Sequence, residues 1–265
     1  MGYEYLNLER DEHVALMTLN RPETLNALNA ALRKDISNAV LEVREDDEIR
    51  ALVIIGAGRD FCSGADLSGP RPEPPEKIPQ NQRLDDHGWV GRQAMTIGRL
   101  DKPVIAAMNG VAAGAGMSLA LACDLRVGSE KTNFKTVFPE RSLSPDAGMT
   151  FFLPRIIGYS RAADLIFTSR RVDAEEAYRL GLLDRLVEHE KLLEEPIGLA
   201  RQIVFWPPMA IRSSKWVLQR NLECDLEQAL RNETVGLSRA RNAPHDMKES
   251  RLSWVEKRPP VFTGQ

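Results

Sequence analysis

The chain has 265 residues, with 35 Lys+Arg against 38 Asp+Glu and a formal net charge of −3. At roughly 100–200 residues per domain this is one large domain, or one domain with an appendage. A composition of 43% hydrophobic and 28% charged residues excludes wholesale disorder, and the near-neutral balance argues against general affinity for nucleic acid or anionic membrane.

In chain order, Tyr5–Arg10 and His13–Leu19 are short alternating runs split by Asp11-Glu12, which predicts an opening hairpin. Asn29 is placed to cap a helix running to about Asp46, with Leu32, Ile36, Val40 and Val43 on one face. Ala51–Ile55 is a continuous apolar run, the pattern of a strand buried on both faces. The segment Ser68–Gln80 is proline-rich and cannot be helical, so it is expected as a surface excursion or a stiff lid. An amphipathic helix is predicted over about Arg83–Leu100.

The run from Val104 to Cys123 carries no charge, yet Asn109, Gly110, Gly114, Gly116 and Ser118 interrupt it. It reads as a short strand, a glycine turn and a small-residue helix starting at about Gly114, in preference to a membrane span. Leu125–Val127 and Asn133–Val137 are further short strands, and from Pro145 the chain is mostly helical apart from Leu183–Val187. The expected class is α/β, with a core over residues 1–195 and a helical region over 196–265 that belongs to the same unit. Cys62, Cys123 and Cys224 are odd in number and far apart, which fits neither a disulfide framework nor a zinc site. A reducing, cytoplasmic setting follows, and the N-terminus lacks a secretory pattern.

Two strand-to-loop junctions carry the candidate chemistry: Ile54–Leu67 and Ala106–Ser118, each a buried strand leading into glycine-rich backbone. Free N–H groups in such loops suit an anionic oxygen, and two of them converging from separate loops would make an oxyanion hole. Glycines that serve only turns and close packing are the competing reading. Neither junction is a dinucleotide fingerprint or a P-loop.

Phe61-Cys-Ser-Gly-Ala-Asp-Leu67 and Asn109-Gly-Val-Ala-Ala-Gly-Ala-Gly116, followed by Leu119–Asp124, resemble the two signatures of the enoyl-CoA hydratase/isomerase (crotonase) superfamily. Arg21-Pro22, Asn26–Leu28, Leu153–Arg155, Ala174–Ala177 and Gly181-Leu182 also match its pattern, so the resemblance runs nearly end to end. It is nearest to 1,2-epoxyphenylacetyl-CoA isomerase and dienoyl-CoA isomerase-like members. It implies a spiral of ββα units (the ClpP-like fold) with a C-terminal helical region that builds a homotrimer or hexamer. It also implies an acyl-CoA thioester as substrate, with CoA part of that substrate and neither a metal nor a further cofactor.

By motif position the backbone N–H groups of Ala65 and Ala115 would be the two donors, each contributing about 2.7–4 kcal/mol at a developing enolate oxygen. Asp66, Leu67 and Ser68 would border the CoA channel and Thr24 and Leu25 its adenine end; Lys257 resembles a residue that meets CoA phosphates, of its own or a neighbouring subunit's site, with a solvated tail lysine as the competing reading. The two glutamates of family hydratases fall on Ser118 and Phe138, so neither carboxylate is present. A two-residue gap would instead align Glu140, which stays a reserve candidate. Asp146 stands where the double-bond-migrating relatives have aspartate; taken alone it reads as a helix cap or first-turn acid. Phe138 and Met149 are expected to desolvate it and raise its pKa. The expected activity is isomerisation with Asp146 as proton shuttle. Hydration or thioester hydrolysis through Glu140 or Asp146, and a non-catalytic acyl-CoA-binding protein, are the alternatives. His87 and Trp89 are expected at the acyl pocket, with Trp89 as a packing aromatic the competing reading.

Overall fold

Alternation of side chains decides how the sheet is buried. In β3 (Ala51–Gly56), Leu52 and Ile54 join one hydrophobic core while Ala51 and Val53 join a second on the opposite face. A continuous apolar run is therefore needed here, because both faces are covered. The structure is a computed structural model that describes residues 2–68 and 79–265. Residues 69–78 of the proline-rich stretch lie outside the described residues.

The hairpin forms as expected: β1 (Leu6–Asp11) pairs antiparallel with β2 (Val14–Leu19). After β3 come β4 (Val104–Met108), β5 (Val111–Ala113), β6 (Leu125–Ser129), β7 (Asn133–Lys135), β8 (Val172–Asp173) and β9 (Arg185–Val187). Among the described residues, one sheet has the order β1-β2-β3-β4-β6-β9 and is parallel from β2 onward. A small second sheet has the order β5-β7-β8.

α1 (Ala30–Glu45) buries Leu32, Ile36, Val40 and Val43 against the first core. Asn29 caps it, its side chain accepting the Leu32 N–H at 2.7 Å. The helix expected over about Arg83–Leu100 is broken into α2 (Gln80–Arg83) and α3 (Gly88–Gly98). Between them Asp85 accepts the His87 N–H and Gly88 takes φ +60, both of which interrupt helical geometry. Next come α4 (Ala115–Leu121), α5 (Met149–Ile157), α6 (Tyr159–Thr168), α7 (Ala174–Leu180) and α8 (Glu194–Val204). Leu199 and Ala200 of α8 cover the second face of the main sheet.

The chain ends with α9 (Pro208–Asn221), α10 (Leu226–Ala240) and α11 (Pro244–Glu256). α9 is pinned to the core by Lys215, which donates to Asp124 at 2.6 Å and to the Lys102 carbonyl at 2.9 Å. Among the described residues no helix is long and apolar enough to cross a membrane. Asn29→Ala removes the α1 cap and is expected to cost about 1 kcal/mol, seen as a lower midpoint in urea with an unchanged slope.

Candidate active site

The two glycine-rich junctions meet through their backbones. Cys62 N–H donates to the Val111 carbonyl at 3.0 Å, and Ala113 N–H donates to the Cys62 carbonyl at 3.0 Å. No side chain fits between them: a Cβ on Gly116 would lie 2.1 Å from the Cys62 oxygen, and one on Gly64 would lie 2.7 Å from the Ala113 oxygen. The same Gly64 position is 3.5 Å from the Ala115 nitrogen, so the chain before Ala65 lies against the start of α4. Gly114 precedes α4 at φ 50 and ψ −123, a conformation closed to residues with a Cβ.

On its other side the first junction is bridged to Leu28, whose N–H donates to the Gly64 carbonyl at 2.8 Å and whose carbonyl accepts the Asp66 N–H at 3.3 Å. Bonding from residues 64 and 66 to one partner turns the Ala65 N–H away from that partner. Ala65 is exposed there. Ala115 is the first residue of α4, where an N–H has no intrahelical acceptor. Neither amide donates to another group among the described residues.

The loop before Leu28 acts as the brace. Leu25 and Asn26 are both left-handed, at φ 54 and 56, and Asn26 is fully buried. Asn26 donates to the Asp60 carbonyl at 2.8 Å and the Ala57 carbonyl at 3.0 Å, while its own side-chain oxygen accepts the Arg21 N–H. Ser63 closes on the same loop, its N–H bonded to the Leu25 carbonyl and its hydroxyl to the Thr24 carbonyl. The buried Arg21 guanidinium bonds the Ala27 carbonyl at 2.6 Å and Asp66 at 2.8 Å. Asp66 also accepts both the hydroxyl and the N–H of Ser68. Those Ser68 bonds, with Arg21 adding to them, hold the Asp66 carboxyl down at about 2. Thr24, Leu25, Asp66, Leu67 and Ser68 are thus gathered around Ala65, with Leu67 and Ser68 exposed.

Asp146 reaches the same corner from another direction. Its carbonyl lies 3.4 Å from the hydroxyl of Ser118, one turn along α4 from Ala115. It does not cap a helix: α5 begins at Met149 behind Gly148, with neither a side-chain cap nor an acid in its first turn. The capping reading is therefore overturned. The loop holding it is strained, with Val137, Ser142 and Ala147 all at positive φ, and such strain persists only where the surroundings impose it. The Asp146 carboxyl has no hydrogen bond or ion pair among the described residues. It is exposed in the single chain, yet the surrounding atoms desolvate it enough to raise its pKa, as expected. Phe138 is buried at the start of this loop.

Glu140 is engaged elsewhere. Its carboxylate bonds Lys135 at 2.7 Å and accepts the Ser169 hydroxyl at 2.8 Å, and the Lys135 contact leads in lowering its pKa. Lys257 is exposed at the end of α11 and makes no hydrogen bond to any of these residues. His87 lines a cavity beside this region, whereas Trp89 packs under the Arg33 guanidinium at 4.0 Å, a packing aromatic. Sequence reasoning missed the Asn26 brace and the Ser118–Asp146 contact. Asn26 stood in a recognised motif, but nothing local signals a left-handed asparagine bonded to a loop thirty residues on.

A family model described as "Enoyl-CoA hydratase/isomerase" matches residues 9–265, and the chain belongs to this family. It is 34% identical over 255 residues to the short-chain-enoyl-CoA hydratase of Clostridium acetobutylicum, covering 95% of this chain and 94% of the relative. It is 32% identical over 262 residues to the 1,2-epoxyphenylacetyl-CoA isomerase of Escherichia coli K12, covering 99% of each. The enoyl-CoA hydratase structure from Bacillus anthracis superposes with a TM-score of 0.89 at 31% identity, covering 99% of this chain and all of that one. The crotonase fold is thereby established, and with it an enzyme of a family that acts on acyl-CoA thioesters.

Arg21→Met leaves the Asp66 carboxylate and the Ala27 carbonyl without their shared donor. A loss of about 1.5–3 kcal/mol in unfolding free energy is expected at pH 7. Because the Asp66 pKa is depressed on folding, its stabilisation is complete above about pH 4 and disappears as pH falls toward 2. The gap in stability between wild type and Asp66→Asn should therefore narrow over that window in acid titrations followed by circular dichroism.

Proposed function

We propose that this enzyme moves a carbon–carbon double bond in an acyl-CoA thioester, with Asp146 as the sole proton carrier. The observation that carries this reading is the placement of the Asp146 carbonyl on the first turns of α4, within 3.4 Å of Ser118, at the helix that begins with Ala115. Asp146 removes a proton from the bound acyl group, and the electron pair passes through the conjugated system to the thioester oxygen. The Ala65 and Ala115 N–H groups bind that oxygen. Each donor lowers the barrier by about 2.7–4 kcal/mol, because it strengthens as charge develops. The same carboxyl returns the proton at another carbon, and the double bond shifts.

Proton loss and gain balance, so neither a redox partner nor a second acid is required. CoA is part of the substrate, and no separate cofactor enters. Desolvation raises the Asp146 pKa toward the working range of a general base. Glu140, ion-paired with Lys135 and held ionised with a lowered pKa, is the poorer base. Ser118 and Phe138 offer no carboxylate to orient a water, which weighs against hydration.

Hydration is the second reading, favoured by relatives such as the C. acetobutylicum enzyme whose names specify it. The helices after residue 195 expose Leu218, Leu222, Leu226 and Leu230, which supports assembly as a homotrimer or hexamer through that region. All three cysteines are free, which supports a cytoplasmic setting.

Asp146→Asn is expected to abolish conversion of 3-enoyl-CoA to 2-enoyl-CoA while retaining acyl-CoA affinity, whereas Glu140→Gln keeps turnover. Activity of wild type should rise with pH through a limb displaced above the ordinary carboxylate value, since the base must be ionised. Water addition to crotonyl-CoA outpacing double-bond migration would replace this reading with the second. Light scattering of the purified protein is expected to give three or six times the chain mass.

A further inference from the structure

Among the described residues other than glycine that take positive φ, Val137, at φ 59, is the only one with a β-branched side chain. That conformation is a steric outlier and persists only where the surroundings impose it. Here they do so from two sides. The Val137 N–H donates to the Ser169 hydroxyl oxygen at 3.1 Å, and the Thr136 hydroxyl donates to the Leu165 carbonyl of α6 at 2.9 Å. Opposite, the Val137 Cγ2 lies 3.0 Å from where a Cβ on Gly114 would stand, and the Gly114 N–H donates to the Lys135 carbonyl at 3.0 Å. Residues 135–137 thus bridge the end of α6 to the residue before α4. Ser169 is itself left-handed, at φ 51 and ψ 24 behind α6, and it is buried. Glycine occupies such a helix-ending position without strain, so what serine adds there is its hydroxyl. The hydroxyl hydrogen is committed to Glu140 at 2.8 Å, which leaves the oxygen lone pairs to accept the Val137 N–H.

Resting on the reading of Ala65 and Ala115 as the donor pair, we infer that Ser169 is a positioning residue, which holds Val137 against Gly114 and so aims the Ala115 N–H at the thioester oxygen. The peptide unit is planar, so rotation about the Gly114 Cα–C bond, set at ψ −123, turns the Ala115 N–H together with the Gly114 carbonyl. That carbonyl accepts the Ser118 N–H at 3.0 Å, which resists the rotation from the helix side, while Val137 limits it from the loop side. Ser169 acts through Val137 and not on the substrate. Glu140 serves as an acceptor only, a part that an amide oxygen fills equally well.

The test reads the donors directly, by difference infrared spectroscopy of butyryl-CoA isotope-labelled at its thioester carbonyl and bound to the full chain. In wild type two donors polarise the carbonyl, so its stretch should fall in frequency on binding. Ser169→Gly removes the hydroxyl and relieves the left-handed strain at that residue, so the variant should still melt cooperatively. Its carbonyl shift should shrink by about half, as one of two donors is misaimed, and kcat should fall roughly ten- to a hundredfold. Affinity for butyryl-CoA should stay within a few-fold, since most of that ligand is held elsewhere. Val137→Ala keeps the N–H but withdraws the branch from Gly114, and should reduce shift and kcat in the same direction without lowering the melting temperature. A wild-type shift that both variants keep in full overturns the role of Ser169 and leaves the amide pair standing. Loss of shift confined to a Ser169→Gly protein that no longer melts cooperatively, with Val137→Ala unchanged, likewise overturns it. No shift in wild type removes the donor pair, and this inference with it; the ligand does not react, so none of these readings depends on Asp146.

Discussion

Backbone meets backbone between residues 62–65 and 112–116, and the rest of the site depends on that contact. With Gly116 against the Cys62 carbonyl and Gly64 against Ala113, there is space for main-chain atoms and nothing else. The register is then fixed by hydrogen bonds from both directions, to Val111 and Ala113 on one side and to Leu28 on the other. Among the described residues, the Ala65 and Ala115 N–H groups are left without an acceptor. Ala115 is buried, so leaving its donor without an acceptor costs free energy, which a ligand oxygen reaching both amides recovers.

The acid and the amide pair are held by different parts of the chain. The amides are braced by Asn26 and Arg21 from the first hairpin side, whereas Asp146 rides on the strained loop between β7 and α5. Electrostatics then sorts the two carboxylates on that loop. Glu140 is paired with Lys135 and stays firmly ionised, while Asp146 has no ion-pair partner among the described residues and is partly desolvated. One is spent on structure and the other keeps its proton affinity.

Much of this was legible from local pattern. The double-faced burial of β3, the Asn29 cap and the apolar face of α1 follow from periodicity and short-range chemistry, and the glycine junctions announce close approach. The break before α3 was hidden because Arg83–Leu100 keeps helical periodicity through Asp85 and Asp86. The strands β5 and β8 are too short to alternate visibly. Ser-Pro-Asp reads as a helix start, yet α5 begins behind Gly148, since the left-handed Ala147 and Gly148 turn the chain first. The Phe152 ring between Gly98 and Gly148 belongs to the third dimension alone.

The Ala65 and Ala115 donors are main-chain atoms, so most substitutions at the alanines themselves would leave the amides in place. The proton carrier, by contrast, is a single side chain on a loop whose shape is set by its own backbone. One point change there could alter what is done to a bound thioester without loosening the grip on it. A scaffold divided in this way separates holding from reacting, and can diversify its chemistry one codon at a time.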